Sequence, residues 1–332
     1  MKDVIDEIRS LQRRRLVLNS LQDLPFCRTL RDRTDERKQH LVDALIDSIA
    51  RGSGLFDKYH DIDQSDLNPI GNRVWVFWNT GIETAPPVVR KCVEIMQDLD
   101  DVDLVVIDRT NLEEHFTFEG DIRRLFDSGR ISIQAFSDIL RCQLMARHGG
   151  FWLDSTLYIT RKDFITRHCD MPYFSFRHSS NDLLLKRKWN EYFTRGLWTM
   201  YGLGAGKGSP LFSFIYDFYL EYFSRHDEVF DYFHLAYIWL YAYENFPWAH
   251  EMIGSIEPSV SCSYWLGQNL MKPFDQSRWD TVTQENEFQK LNWRKSPPDR
   301  TRRRQTYLDH FLETDDYFVS TSSSATRGKT SR

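Results

Sequence analysis

Cysteine is scarce in this chain: five in 332 residues, none of them part of a CxxC pair. Cys27, Cys92, Cys142, Cys169 and Cys262 are odd in number and widely spaced, which argues against a disulfide framework or a zinc site. Long apolar runs are missing as well. No stretch reaches the roughly 18 consecutive apolar residues of a membrane span, and the opening MKDVIDEIRS lacks the apolar segment of a signal peptide. Positive charge is not in excess either. A net charge of −5 gives no general pull toward nucleic acid or anionic lipid. These absences lead us to expect a cytoplasmic protein without a nucleic-acid partner. Peripheral contact with a membrane stays open.

What is present is a sizeable potential core. Hydrophobic residues make up 41% of the chain and aromatic residues 14%. The length suits one large α/β domain with added helices, because single cores stop growing near ~250–300 residues. Val4, Ile8, Leu11 and Leu18 recur at helical spacing, as do Leu41, Ala44, Leu45 and Ile49, and the charged stretch Arg28 to Lys38 reads as the link between two helices. Residues 1–70 thus form an expected helical extension packed on the core.

The period then changes. RVWVFW, Arg73 to Trp78, reads as a buried strand; Pro86 and Pro87 open a helix; Asp103 to Ile107 reads as a second strand. This strand–helix–strand order predicts a mostly parallel sheet with a site at its carboxyl ends. Ser132 to His148 is the clearest helix, stopped by Gly149 and Gly150; Phe151 to Leu153 is a short strand ending at Asp154. Ser209 to Arg225 and Glu228 to Asn245 read as aromatic-rich helices whose rings are more simply core than ligand platform. Residues 297–332, with RTRRRQ and a Ser/Thr-rich end, read as a disordered tail. RTRRRQ is either a solvated run or a contact for anionic lipid head groups.

The segment that carries chemistry is SDILRCQLMARHGGFWLDST, Ser137 to Thr156. Asp138 and Arg141 lie three apart and share a helix face. The strand after the double glycine delivers Asp154 to a loop edge, where a carboxylate can ligate a hard divalent cation. Taken singly, Asp138–Arg141 is an ordinary surface pair and Asp154 an ordinary turn cap. Their order within twenty residues is what points to a site.

This segment resembles the signature of DXD-type glycosyltransferases of the capsular-polysaccharide-synthesis group, related to glycosyltransferase family thirty-two and to the sugar-transferring domains of clostridial toxins. RVWVFWNTG, VVIDRTN (Val105 to Asn111), GLGAGKGSPLF (Gly202 to Phe212), FDYF (Phe230 to Phe233) and KLNWR (Lys290 to Arg294) resemble its other landmarks. The likeness spans roughly residues 70–295. It implies a GT-A fold over residues 71–296, a nucleotide-diphospho-sugar donor, a glycan or glycolipid acceptor and retention at the anomeric carbon. It further implies Mn²⁺ or Mg²⁺ held at Asp154. By position, Ser137, Asp138 and Arg141 would contact the donor, Asp154 its metal or ribose, and Trp78 its base, although Trp78 is equally well a core residue. Asp231 and His234 are acceptor-side candidates that read as well as packed polar groups. GLGAGKG is a candidate diphosphate cradle without P-loop spacing. Thr156 stands where the pattern has its second acid, and a hydroxyl is the weaker ligand for a hard cation. A catalytically silent nucleotide-sugar binder and an effector that glycosylates a protein are the alternative functions.

Overall fold

The computed structural model describes residues 2–21, 25–64, 67–179, 194, 196–260, 262–294 and 304–319. Two long helices, α1 (Lys2–Ser20) and α2 (Pro25–Gly52), lie against each other and are followed by a short helix, α3 (Leu55–His60). Ile5, Ile8, Leu11, Arg15 and Leu18 are the buried stripe of α1, at the three-to-four spacing that one helix face requires.

The charged stretch from Arg28 to Lys38 is no link. It lies within α2, where Asp35 and Lys38 are buried and paired rather than solvated. Arg15 meets Asp35 at 2.6 Å, and Lys38 meets Asp231 at 3.1 Å with both side chains buried.

The α/β part begins with β1 (Arg73–Phe77), α4 (Pro87–Gln97), β2 (Asp103–Ile107), two short helices α5 (Leu112–His115) and α6 (Ile122–Asp127), then α7 (Ile133–Arg147) and β3 (Gly150–Leu153). Next come β4 (Leu157–Ile159), α8 (Phe164–His168), β5 (Tyr173–Ser175) and β6 (Gly202–Ala205). The chain continues through α9 (Pro210–Phe223), α10 (His234–Asn245), α11 (Pro247–Gly254), α12 (Trp265–Asn269), α13 (Gln276–Gln284), β7 (Phe288–Lys290) and α14 (Tyr307–Glu313). The main sheet has the order β2-β1-β3-β6-β5. β1 is parallel to β2 and to β3, while β6 runs antiparallel to β3 and β5. The sheet is therefore mostly parallel and mixed at one side.

Alternation along the strands sorts the core into two layers. Trp75 of β1 and Trp152 of β3 face a cluster with α1, α2, α7, α9 and α10. Val74, Val76, Phe151 and Leu153 face the opposite layer with α4 and α8. A third cluster joins Tyr158 of β4 to α4, α12, α13 and α14. So part of the stretch read as a tail is folded: α14 has a Thr306–Asp309 capping box and buries Tyr307, Leu308 and Phe311. Residues 297–303 and 320–332 lie outside the described residues. No helix among the described residues is long and apolar enough to cross a membrane.

Two glycine features lie where the sequence does not suggest. Gly149 and Gly150 end α7 with φ of 69° and 102°, but at the end of β3 remote from Asp154. A Cβ on Gly149 would sit 2.5 Å from the Lys207 backbone nitrogen. GLGAGKG is strand β6 followed by that same remote turn, since Ala205 pairs with Gly150 and Gly202 with Leu153. That turn lies at the back of the sheet, away from Asp154. Likewise α10 starts only at His234, and Glu228 to Phe233 run as irregular chain ahead of it.

Candidate active site

The carboxyl ends of β1 and β3 open into a cavity of about 960 Å³. Its lining includes Trp78, Ser137, Asp138, Arg141, Asp154, Thr156 and His234. Asp231 is not among them: it is buried and bound to Lys38 of α2.

Each contribution has a local cause. The Ser132 hydroxyl accepts from the Ala135 N–H and starts α7, which fixes the face carrying Ser137, Asp138 and Arg141. The Asp154 N–H donates to the Tyr201 carbonyl at 2.8 Å, and the Leu157 N–H returns to the Asp154 carbonyl at 2.9 Å. The first bond extends the β3–β6 pairing and the second closes a tight turn, which together set the Asp154 backbone beside α7. Trp78 follows β1 with its N–H on the Ile107 carbonyl, and its ring meets the ring of Trp293 edge-on at 5.7 Å.

The charges form one network. Arg141 lies 3.2 Å from Asp138 Oδ1 and 3.7 Å from Asp154 Oδ1, over the Trp152 ring at 4.8 Å. It also donates to the Met200 carbonyl. Trp152 Nε1 donates to Asp154 Oδ1 at 3.0 Å. From the far end of the chain, Lys290 Nζ donates to Asp154 Oδ2 at 2.6 Å and to Thr156 Oγ1 at 2.8 Å. Burial pushes the Asp154 carboxyl up, but Lys290 and Arg141 outweigh it and hold the group below its ordinary value. Asp138 has weaker support. Burial raises it to about 6, Arg141 opposes that rise, and Asp154 adds to it.

Behind Asp138 stands His234, its Nε2 3.5 Å from Asp138 Oδ2 and its Nδ1 2.6 Å from the Tyr219 hydroxyl. Burial and Arg141 lower His234 to about 3, so the imidazole is neutral. Burial lifts the Tyr219 hydroxyl well above its usual range, so it stays protonated. A neutral ring then accepts the Tyr219 O–H hydrogen bond at Nδ1 and turns Nε2–H toward Asp138. His234 therefore borders the cavity and meets Asp138 there.

Sequence reasoning placed KLNWR as a landmark but missed the role of Lys290. Nothing in local spacing tells that a residue 136 positions away touches Asp154. Trp293 and Tyr219 were missed for the same reason; Trp152, two residues before Asp154, reads in sequence simply as part of a buried strand.

Both carboxylate oxygens of Asp154 are engaged by side chains of the protein itself. Among the described residues no group of three or more His, Cys, Asp and Glu side chains is placed to hold a metal ion. The ammonium of Lys290 occupies the position between Asp154 and Thr156 where the resemblance puts the metal.

The chain belongs to a known family: residues 29–311 match the family model described as capsular polysaccharide synthesis protein. That match extends beyond residues 71–296 to take in most of α2 and of α14. No curated protein matches the chain. Among solved structures it is similar to the PaToxG glycosyltransferase, at 12% identity and a TM-score of 0.37, over 65% of this chain and 83% of that one.

Proposed function

We propose that this protein is a glycosyltransferase of the GT-A type that moves a sugar from a nucleotide-diphospho-sugar to a hydroxyl of a glycan or glycolipid acceptor in capsular or surface polysaccharide synthesis. The observation that carries this reading is the convergence of Asp138, Arg141, Asp154 and Lys290 in one cavity at the carboxyl end of a mostly parallel sheet. Ligand sites of α/β sheets lie there, and the cavity is large enough for a nucleotide sugar. Family membership agrees with it.

In this reading the base docks by the Trp78–Trp293 pair, whose rings supply flat apolar contact. Ser137 and Asp138 hydrogen-bond the donor sugar, and the Tyr219–His234 pair keeps Asp138 aimed. Arg141 and Lys290 face the diphosphate. The bond between the anomeric carbon and the β-phosphate oxygen breaks, and its electron pair leaves with the nucleoside diphosphate. Preorganised cations in a partly dry site stabilise that developing charge most strongly. The acceptor oxygen forms the new bond from the same face, which gives retention, and its proton passes to the departing diphosphate. No side chain need act as nucleophile or general base.

The test is a panel of nucleotide-diphospho-sugars, followed by release of nucleoside diphosphate. One donor should be slowly hydrolysed, and Asp154→Ala and Asp138→Asn should each lower that rate by about a hundredfold or more, as loss of a charged donor-site hydrogen bond does. Hydrolysis unchanged in both variants would overturn the site. Binding of one donor without turnover in any acceptor mixture would mark a silent binder instead.

A further inference from the structure

We infer that Lys290 supplies the positive charge that a divalent cation would otherwise bring to the donor diphosphate, so that this site binds its donor without metal. The inference rests on the nucleotide-sugar reading above and specifies how that site is built.

Three observations carry it. The first is occupancy: both oxygens of Asp154 are engaged, Oδ1 by Trp152 Nε1 at 3.0 Å and Oδ2 by Lys290 Nζ at 2.6 Å. A hard divalent ion needs about six oxygen ligands, and here it would have to evict an ammonium from the best of them. The second is charge matching. Two carboxylates flanking a cation site balance a divalent ion, whereas one carboxylate and one hydroxyl balance a single ammonium. Thr156 in the place of the second acid is thus the partner that Lys290 needs, with its hydroxyl accepting at 2.8 Å.

The third is construction. Lys290 closes β7, which pairs with β4 so that Leu157 and Lys290 are opposite. The Leu291 N–H donates to the Thr156 carbonyl at 2.9 Å and the Lys290 N–H to the Ser263 carbonyl at 2.7 Å. Gly267 lets α12 approach, since a Cβ there would lie 2.3 Å from the Lys290 carbonyl oxygen. The Lys290 side chain is 17% exposed, so its ammonium is anchored yet reachable from the cavity. Lys290 and Arg141 then flank the position of the diphosphate as two fixed cations. An ammonium is a compact, freely rotating donor well suited to phosphate oxygens.

The experiment is calorimetric titration of the full chain with UDP, GDP, ADP and CDP, in EDTA and again in excess Mn²⁺. One nucleoside diphosphate should bind equally well in both. Lys290→Met should weaken it by about tenfold to a hundredfold in either buffer, and Lys290→Arg should recover part of the loss. An unchanged melting temperature in Lys290→Met separates a lost contact from a lost fold. Binding in Mn²⁺ but not in EDTA, or Lys290→Met binding as tightly as wild type, would overturn the inference and leave the donor reading standing. No nucleotide binding in either buffer would overturn both.

Discussion

Asp138 and His234 titrate in opposite senses although they touch. The folded value of Asp138 is raised from 3.8 to about 6, so the stability gained from its protonated form is full below 3.8 and is lost as pH rises through 6. The folded value of His234 is lowered from 6.5 to about 3, so its contribution is full above 6.5 and is lost as pH falls toward 3. Between neutral pH and about pH 5 the two trends offset each other to within about 1 kcal/mol. A single substitution should expose one of them. Relative to wild type, Asp138→Asn should lose about 1 kcal/mol on acidification over that range, and His234→Gln should gain about 2 kcal/mol. Urea unfolding at the two pH values reads both. Parallel behaviour of wild type and variants would mean that neither group carries the shift assigned to it. A donor-site role for ionised Asp138 further predicts kcat/KM rising through about pH 6.

At the scale of elements, the site is made by ends. Trp78 follows β1, Asp154 follows β3 and Lys290 closes β7, while α7 presents one face between them. Glycines serve the two ends of the sheet differently. Gly149→Ala puts a Cβ against the Lys207 backbone at a φ of 69° and should cost about 1–3 kcal/mol of stability, while leaving the activity of folded molecules intact. Gly267→Ala presses directly on the Lys290 carbonyl and should weaken nucleotide binding even where the protein still folds. Melting curves beside nucleotide titrations distinguish the two; equal loss of binding in both variants would contradict this division. Most of these elements were legible locally. α7 announces itself by Ser132, its apolar stripe and Gly149. α2 does not, because a charged stretch looks solvated until its partners are known.

For the whole molecule, the N-terminal helices are joined to the α/β part by buried charge as well as by apolar packing. Lys38 of α2 meets Asp231 just ahead of α10, and both side chains are essentially inaccessible. Burial lowers Lys38 and Asp231 pulls it back up. Lys38→Met should strand a buried carboxylate and cost about 3–5 kcal/mol, whereas pairing it with Asp231→Leu should recover much of that loss. Denaturant unfolding of the three variants checks it, and additive losses in the double variant would refute the coupling. The Asp231 that reads from sequence as an acceptor-side residue is thus a joint between layers.

Sequence by itself determined β1, β2, β3, α4 and α7 and the near half of the candidate site. Period, caps and strand alternation are local properties, and Ser137, Asp138, Arg141 and Asp154 lie within one helix–turn–strand unit whose geometry short-range sterics impose. Tertiary structure alone decided the rest. It brought Lys290 from 136 residues away onto Asp154, withdrew Asp231 to Lys38, sent the double glycine to the back of the sheet and placed Tyr219 behind His234. A charged side chain's role depends on which opposite charge burial forces beside it, and only the packed chain makes that choice.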